Sequence, residues 1–197
     1  DALLALIAQF AADERDDKID LGVGVYRTDD GATPVFEAIK GAERRLLDEQ
    51  DSKAYLGPEG DKGFVQALIP VLFGPAGDMG GLIDGLQTPG GTGAVRLAVA
   101  LAQRAGITRV HVGTPSWPNH IPIIEDVGLE AVTFSHSKAD GSADAEALLD
   151  IIRTGREGDA VLIHACCHNP TGIDYTPEQW EALADALADS PVLPIID

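Results

Sequence analysis

The stretch Ala160-Val-Leu-Ile-His-Ala-Cys-Cys-His-Asn-Pro-Thr-Gly172 decides how this chain is read. Ala160 to Ile163 is an unbroken apolar run, the pattern of a short strand covered on both faces. Polar residues arrive at its carboxyl end: His164, His168 and Asn169. Pro170 and Gly172 then impose a turn. Ligands of open α/β sheets bind just beyond the carboxyl ends of strands. The polar residues therefore fall where a binding site is expected.

Outward from this stretch, strands and helices alternate. Downstream, Thr176-Pro-Glu-Gln179 predicts a helix running to about Ala188, with Thr176 as cap, Pro177 at the first position and Gln179 bonding back. Val192 to Ile196 predicts a strand, in which Pro194 weakens a central ladder. Upstream, the pattern predicts strands at Val110 to Val112 and Ala131 to Phe134. Helices are expected at His120 to Val127 and at Asp144 to Arg153, the latter ending at Gly155. From Leu86 the pattern is strand, turn, helix, the helix covering Gly93 to Arg104 with Leu97, Ala98 and Leu101 on its apolar face. Lys62 to Leu68 predicts a helix that closes near Pro70. Thr33 is expected to cap a helix opening at Pro34, with Val35, Ile39, Ala42 and Leu46 along one face to about Gln50. Leu3 to Phe10 reads as a short amphipathic helix. Ile19 to Tyr26, interrupted by Gly22 and Gly24, reads as a strand or an extended loop. The alternation predicts an α/β fold with crossover connections and a largely parallel sheet.

Composition bounds the function. The 197 residues carry 45% hydrophobic and 23% charged side chains, an ordinary globular balance. A net charge of −18 excludes a nucleic-acid surface, which needs clustered Lys and Arg. No apolar run reaches the ~18 residues of a membrane span, and no secretory leader is visible. Cys166 and Cys167 are adjacent and do not form a disulfide framework, so a cytoplasmic location is expected. The chain starts without Met and stops within an apolar run, so both ends are expected to be cut.

Thr88-Pro-Gly-Gly-Thr-Gly-Ala94 precedes a helix, where glycines let backbone N–H groups approach an anion. Read alone, it is either a phosphate cradle or a tight turn. It is not a Walker loop and lacks the dinucleotide Gly-x-Gly-x-x-Gly. Trp117, stiffened by Pro115 and Pro118, could stack on a flat ring or plug a core. His164, Cys166 and His168 would share one side of a longer strand, but no second ligand cluster accompanies them, and metal is set aside. Asp197, at the end of an apolar run, needs a cationic partner if it is buried.

Cys166-Cys-His-Asn-Pro-Thr-Gly172 resembles the signature of the aspartate and aromatic amino acid aminotransferases. Gly22-Val-Gly-Val-Tyr-Arg27, Thr88 to Ala94 and Pro115-Ser-Trp-Pro-Asn-His120 match the same family in the same order. The resemblance implies a pyridoxal phosphate fold type I architecture: residues 1–33 belong to the small domain and 34–197 are the first half of the cofactor domain. It implies transfer of an amino group from aspartate or an aromatic amino acid to a 2-oxo acid, with 2-oxoglutarate expected, through pyridoxal 5'-phosphate. By the same resemblance, Gly91 and Thr92 hold the cofactor phosphate, and Trp117 stacks on the ring. Asn169 meets the phenolate oxygen, and Asp197 pairs with the ring nitrogen. His120 and His164 stand behind them. Gly24 meets the substrate carboxylate together with Trp117 and Asn169. Tyr55 reaches the cofactor phosphate of the partner subunit, which implies a homodimer. The cofactor-linking lysine and the substrate-binding arginines are expected beyond residue 197, so the chain alone is expected to be inactive. The alternatives are a nucleotide-binding α/β oxidoreductase and a non-catalytic α/β binding module.

Overall fold

The computed structural model describes residues 2–20, 22, 24–74 and 81–197. It divides into two compact units, Asp1–Tyr55 and Leu56–Asp197. In the first unit, α1 spans Ala2–Ala12 and α2 spans Glu37–Glu49. The helix expected from Thr33 therefore starts later. Pro34 presets only its own φ, and the chain stays extended through Phe36, at φ −63° and ψ 141°. Glu37, whose charge suits the positive end of the helix, opens the first turn. Residues 21 and 23 of the expected strand Ile19 to Tyr26 lie outside the described residues; Gly24 to Tyr26 form a loop, not a strand.

The second unit holds α3 (Lys62–Phe73), α4 (Gly90–Arg104), β1 (Arg109–Thr114), α5 (His120–Asp126), β2 (Glu130–Ser135), α6 (Ala145–Thr154), β3 (Asp159–Ile163), α7 (Pro177–Ala188) and β4 (Leu193–Ile196). The residues 82–88 form no strand, contrary to the pattern from Leu86. Asp61 caps α3 by accepting the Phe64 N–H at 2.8 Å. Pro70 does not end that helix; its ring suits helical φ, and only its own N–H bond is lost. Asp144 caps α6, and Thr176 with Gln179 forms the expected capping box of α7.

The four strands are parallel, in the order β2-β1-β3-β4. The chain leaves β1 for one neighbour and later returns to its other side as β3. The gap between the carboxyl ends of β1 and β3 is thus a topological switch point, the standard location of a ligand crevice. Pro194 sits in β4, which ends the strand order, so no further described strand needs its absent N–H.

Strand alternation builds two cores. Ala160 and Leu162 of β3 join Val110 and Val112 of β1 under α4 and α5, against Val95, Val99, Ala102, Ile123 and Ile124. Val161 and Ile163 face the opposite way, onto Leu148 and Ile152 of α6 and Leu183 of α7. Ala160 to Ile163 are all buried, as their apolar run predicts, and Asp159 is buried with them. Each Val, Leu or Ile side chain fully buried here contributes about 1.5–3 kcal/mol. The buried face of α4 is Val95, Val99 and Ala102; the expected Leu97 and Leu101 are exposed. Both sets recur at helical spacing, and the β-branched set is the one turned to the sheet.

At the amino ends of the strands, Arg109 of β1 clamps Asp159 of β3 with two hydrogen bonds of 2.8 Å. Asp159 is 1% exposed. The Arg109 guanidinium, helped by the Arg156 N–H, holds its carboxyl below the usual range.

Candidate functional site

The carboxyl ends of the strands carry the chemistry. β1 ends at Thr114 and runs into Pro115-Ser-Trp-Pro, which delivers His120 to the start of α5. β3 ends at Ile163 and releases His164. β4 ends at Ile196 and releases Asp197. The backbone of Asp197 is tied to the exit of β3: its N–H donates to Ile163 O at 2.9 Å, and its carbonyl accepts the Ala165 N–H at 2.8 Å.

These ties bring Asp197 to His120. The Nε2 of His120 lies 2.8 Å from Asp197 Oδ2. A carboxylate only accepts, so His120 donates from Nε2. Its Nδ1 then exchanges a hydrogen bond with Ser116 Oγ at 2.8 Å. His120 is fully buried, whereas the Asp197 side chain keeps 35% exposure. One carboxylate oxygen is thus engaged by a buried, oriented imidazole while the other is open. Trp117 packs edge-on against His120, centroids 5.1 Å apart at 81°.

His164 sits behind this pair, its ring 5.1 Å from that of His120. Its Nε2 is buried without a hydrogen-bond partner. Burial, aided by the nearby His120, lowers its pKa. His164 meets His168 edge to face at 4.2 Å, and His168 stacks on His136 at 3.5 Å and 6°. Burial, with His136 and His164 adjoining, lowers the pKa of His168 to about 4. His136 Nε2 donates to Ile173 O at 2.7 Å. His136, His164 and His168 thus form a row of closely packed imidazoles beneath the site.

The loop after β3 is held from below by Asp174. Its two carboxylate oxygens accept the N–H groups of Cys167 and His168, both at 2.8 Å, which lowers the pKa of its carboxyl. Because β3 stops at Ile163, the expected alternation of His164, Cys166 and His168 on one side does not form. Cys166 is exposed while His168 is buried. Asn169 follows, exposed and free to present its amide.

Gly90, Gly91 and Thr92 form the first turn of α4, and no side chain caps that end. The helix begins three residues before the expected Gly93. Gly93 is tightly packed, since a Cβ there would meet Pro89 Cδ at 3.0 Å. Gly91 opens onto free space, so its backbone can be approached. First-turn N–H groups left uncapped at the positive end of a helix suit an anion.

The second unit therefore holds Gly91, Thr92, Trp117, His120, His164, Asn169 and Asp197 on the ends of β1, β3, β4, α4 and α5. Gly24 and Tyr55 belong to the first unit, where both are exposed. Sequence reasoning missed Ser116, Asp174 and His136, and it named His168 without its stacking on His136. Ser116 stands four residues before His120 at a helix start, a spacing that could have flagged it. The others are legible only once the chain is folded. His120, His164 and Asp197 present possible ligand atoms within 4.8 Å of one another. Those three fall short of the four ligands that close a structural zinc site. Among the described residues, no helix is long and apolar enough to cross a membrane.

Comparison with known proteins gives consistent results. The family model "Aminotransferase class I and II" matches residues 16–197. A tyrosine aminotransferase of Rhizobium meliloti (strain 1021) is 46% identical over 198 residues, covering 100% of this chain and 51% of the relative. An aspartate aminotransferase of Escherichia coli (strain K12) is 42% identical over 204 residues, with 100% and 51% covered. Among solved structures, an aromatic amino acid aminotransferase from Burkholderia cenocepacia J2315 superposes with a TM-score of 0.92 at 36% identity, covering 100% of this chain and 50% of that one. The chain spans about half the length of the curated relatives it matches.

Proposed function

This chain belongs to the class I and II aminotransferase family, and from that premise we propose that its site serves amino-group transfer. The donor is aspartate or an aromatic amino acid, the acceptor a 2-oxo acid such as 2-oxoglutarate, and the cofactor pyridoxal 5'-phosphate. Because the chain spans half of its relatives, the activity is proposed for a protein that also carries their other half. The cofactor-linking lysine and the substrate-binding arginines are assigned to that half.

The residues present suit this cofactor. The carrying observation is the Asp197 carboxylate, with one oxygen bonded to buried His120 and the other open. Such a group accepts an N–H from a protonated pyridine. When bound, the cofactor supplies a flat, electron-withdrawing ring that accepts the electron pair left on the amino acid as its Cα proton departs.

Each residue then has a task. Asp197 holds the ring proton in place, and His120, fixed by Ser116, holds Asp197. Trp117 offers its indole face to the ring. Gly91 and Thr92 turn the uncapped start of α4 toward the phosphate. Asn169 donates its amide to the phenolate oxygen and lies beside the substrate. His164 backs the pair as a neutral ring. Gly24 brings its backbone to the substrate carboxylate, with residues 1–33 serving in the small domain and 34–197 in the cofactor domain. Tyr55 serves the phosphate of the partner subunit, which makes the protein a homodimer. The free Cys166 and Cys167 suit a reducing compartment, and the cytoplasm is the location proposed.

The test is Asp197→Asn in the protein of full relative length. The amide keeps the shape and loses the charge. Cofactor retention, read by absorbance after dialysis, is expected to stay near that of the parent. The single-turnover rate with aspartate or phenylalanine is expected to fall about 100-fold or more, the scale of losing one electrostatic contact to developing charge. Turnover near that of the parent would refute the assignment.

A further inference from the structure

One pair of residues in the loop after β3 takes no part in the proposed transfer. Cys166 and Cys167 are adjacent, free and exposed. They stand on a backbone that Asp174 fixes through the N–H groups of Cys167 and His168. Cys167 adopts a left-handed conformation, φ 53°, unusual for a non-glycine residue. The two side chains adjoin one another, and the Cys167 thiol beside Cys166 raises the Cys166 pKa. The two side chains therefore stand side by side on a braced loop.

Such a pair could close on itself or around another atom, and backbone geometry separates the two. Cα atoms across a trans peptide are about 3.8 Å apart. Disulfides usually need about 4.4–6.8 Å between Cα atoms. A direct bond between Cys166 and Cys167 is thus strained. A bridging atom bonded to both sulfurs widens the ring and removes the demand for direct sulfur contact. We propose that Cys166 and Cys167 form a vicinal dithiol site that chelates a trivalent arsenical or a like thiophilic centre with two exchangeable valences. With an organoarsenic oxide, each thiol gives one sulfur–arsenic bond. The oxide oxygen leaves as water with the two thiol protons. Neither arsenic nor sulfur changes oxidation state, so no oxidant is consumed. The inference is independent of the transfer reaction.

The probe is phenylarsine oxide, added to the protein of full relative length with its cofactor bound. Native mass spectrometry is expected to show one adduct per chain, less one water, released by a dithiol and retained against the same concentration of a monothiol. Peptide mapping should place it on Cys166 and Cys167. Maleimide labelling of both thiols should be blocked together. Cys166→Ser and Cys167→Ser are each expected to weaken binding about 100-fold or more, the advantage of a second, intramolecular bond. The labelling arm uses unmutated protein and so reads the site even if a variant folds poorly. The absence of an adduct on the unmutated protein, an adduct mapped elsewhere, or equal affinity in either folded single variant overturns the proposal.

Discussion

Single residues join the strands at both of their ends, and the two junctions have different chemistry. At the amino ends, Asp159 is buried and depends on Arg109, which is partly exposed. His111, with its Nε2 3.9 Å from Asp159, is too far to make the paired hydrogen bonds of the guanidinium and does not replace it. Arg109→Met is therefore expected to cost about 3–5 kcal/mol, the scale of a buried charge left alone. Arg109→Met combined with Asp159→Leu should recover much of that loss. Urea denaturation of the single and double variants measures both. At the carboxyl ends, Asp197 and His120 make the corresponding link, 77 residues apart in sequence. The side chains of this site were legible as residue types near strand ends, and the family resemblance named them. Their mutual contacts were not legible, because periodicity reports which face a residue takes and not which distant residue shares it.

Elements with a local chemical signal were the readable ones. Helix α7 is stated almost completely by Thr176-Pro-Glu-Gln179, and both halves of its capping box form, at 3.2 Å and 2.8 Å. Thr176→Ala is expected to lower stability by about 1 kcal/mol, and Thr176→Asp to restore most of it, as thermal unfolding would show. β3 was equally plain, since a strand buried on both faces needs no alternation. The start of α2 was missed because Thr33-Pro34 imitates a cap while the chain stays extended to Phe36. The face of α4 was misread because two apolar sets, Leu97 with Leu101 and Val95 with Val99, both satisfy helical spacing. Choosing between them requires the sheet. The continuation of α3 through Pro70 was unreadable because a proline forbids one hydrogen bond and leaves the rest of a helix to its neighbours.

Over the whole molecule, local and global charge effects pull against each other as pH falls. His168 has an ordinary pKa of 6.5 when unfolded and about 4 when folded. Its folded pKa is depressed, so the unfolded chain binds its proton first, and stability is lost between pH 6.5 and about 4. The ceiling is about 3 kcal/mol, one pKa unit being about 1.4 kcal/mol. Asp159 adds a further loss below its ordinary 3.8. The net charge of −18 acts oppositely, because repulsion relaxes toward the pI of about 4.4. Salt separates them: at about 1 M the surface repulsion is screened to a few ångströms while the buried ring is not. In high salt the urea midpoint is expected to fall steadily from pH 6.5 to 4.5, and His168→Asn should flatten that fall. One further consequence lies in how β4 is hung from β3. Successive strand residues point to opposite faces, so Asp197 shares the side of Ile195, toward α5. The link from Asp189 to Val192 therefore works as a gauge block. Lengthen or shorten it by one residue, letting β4 slip one place, and every helix keeps its outline while the acid that should serve the ring is delivered to the wrong storey of the building.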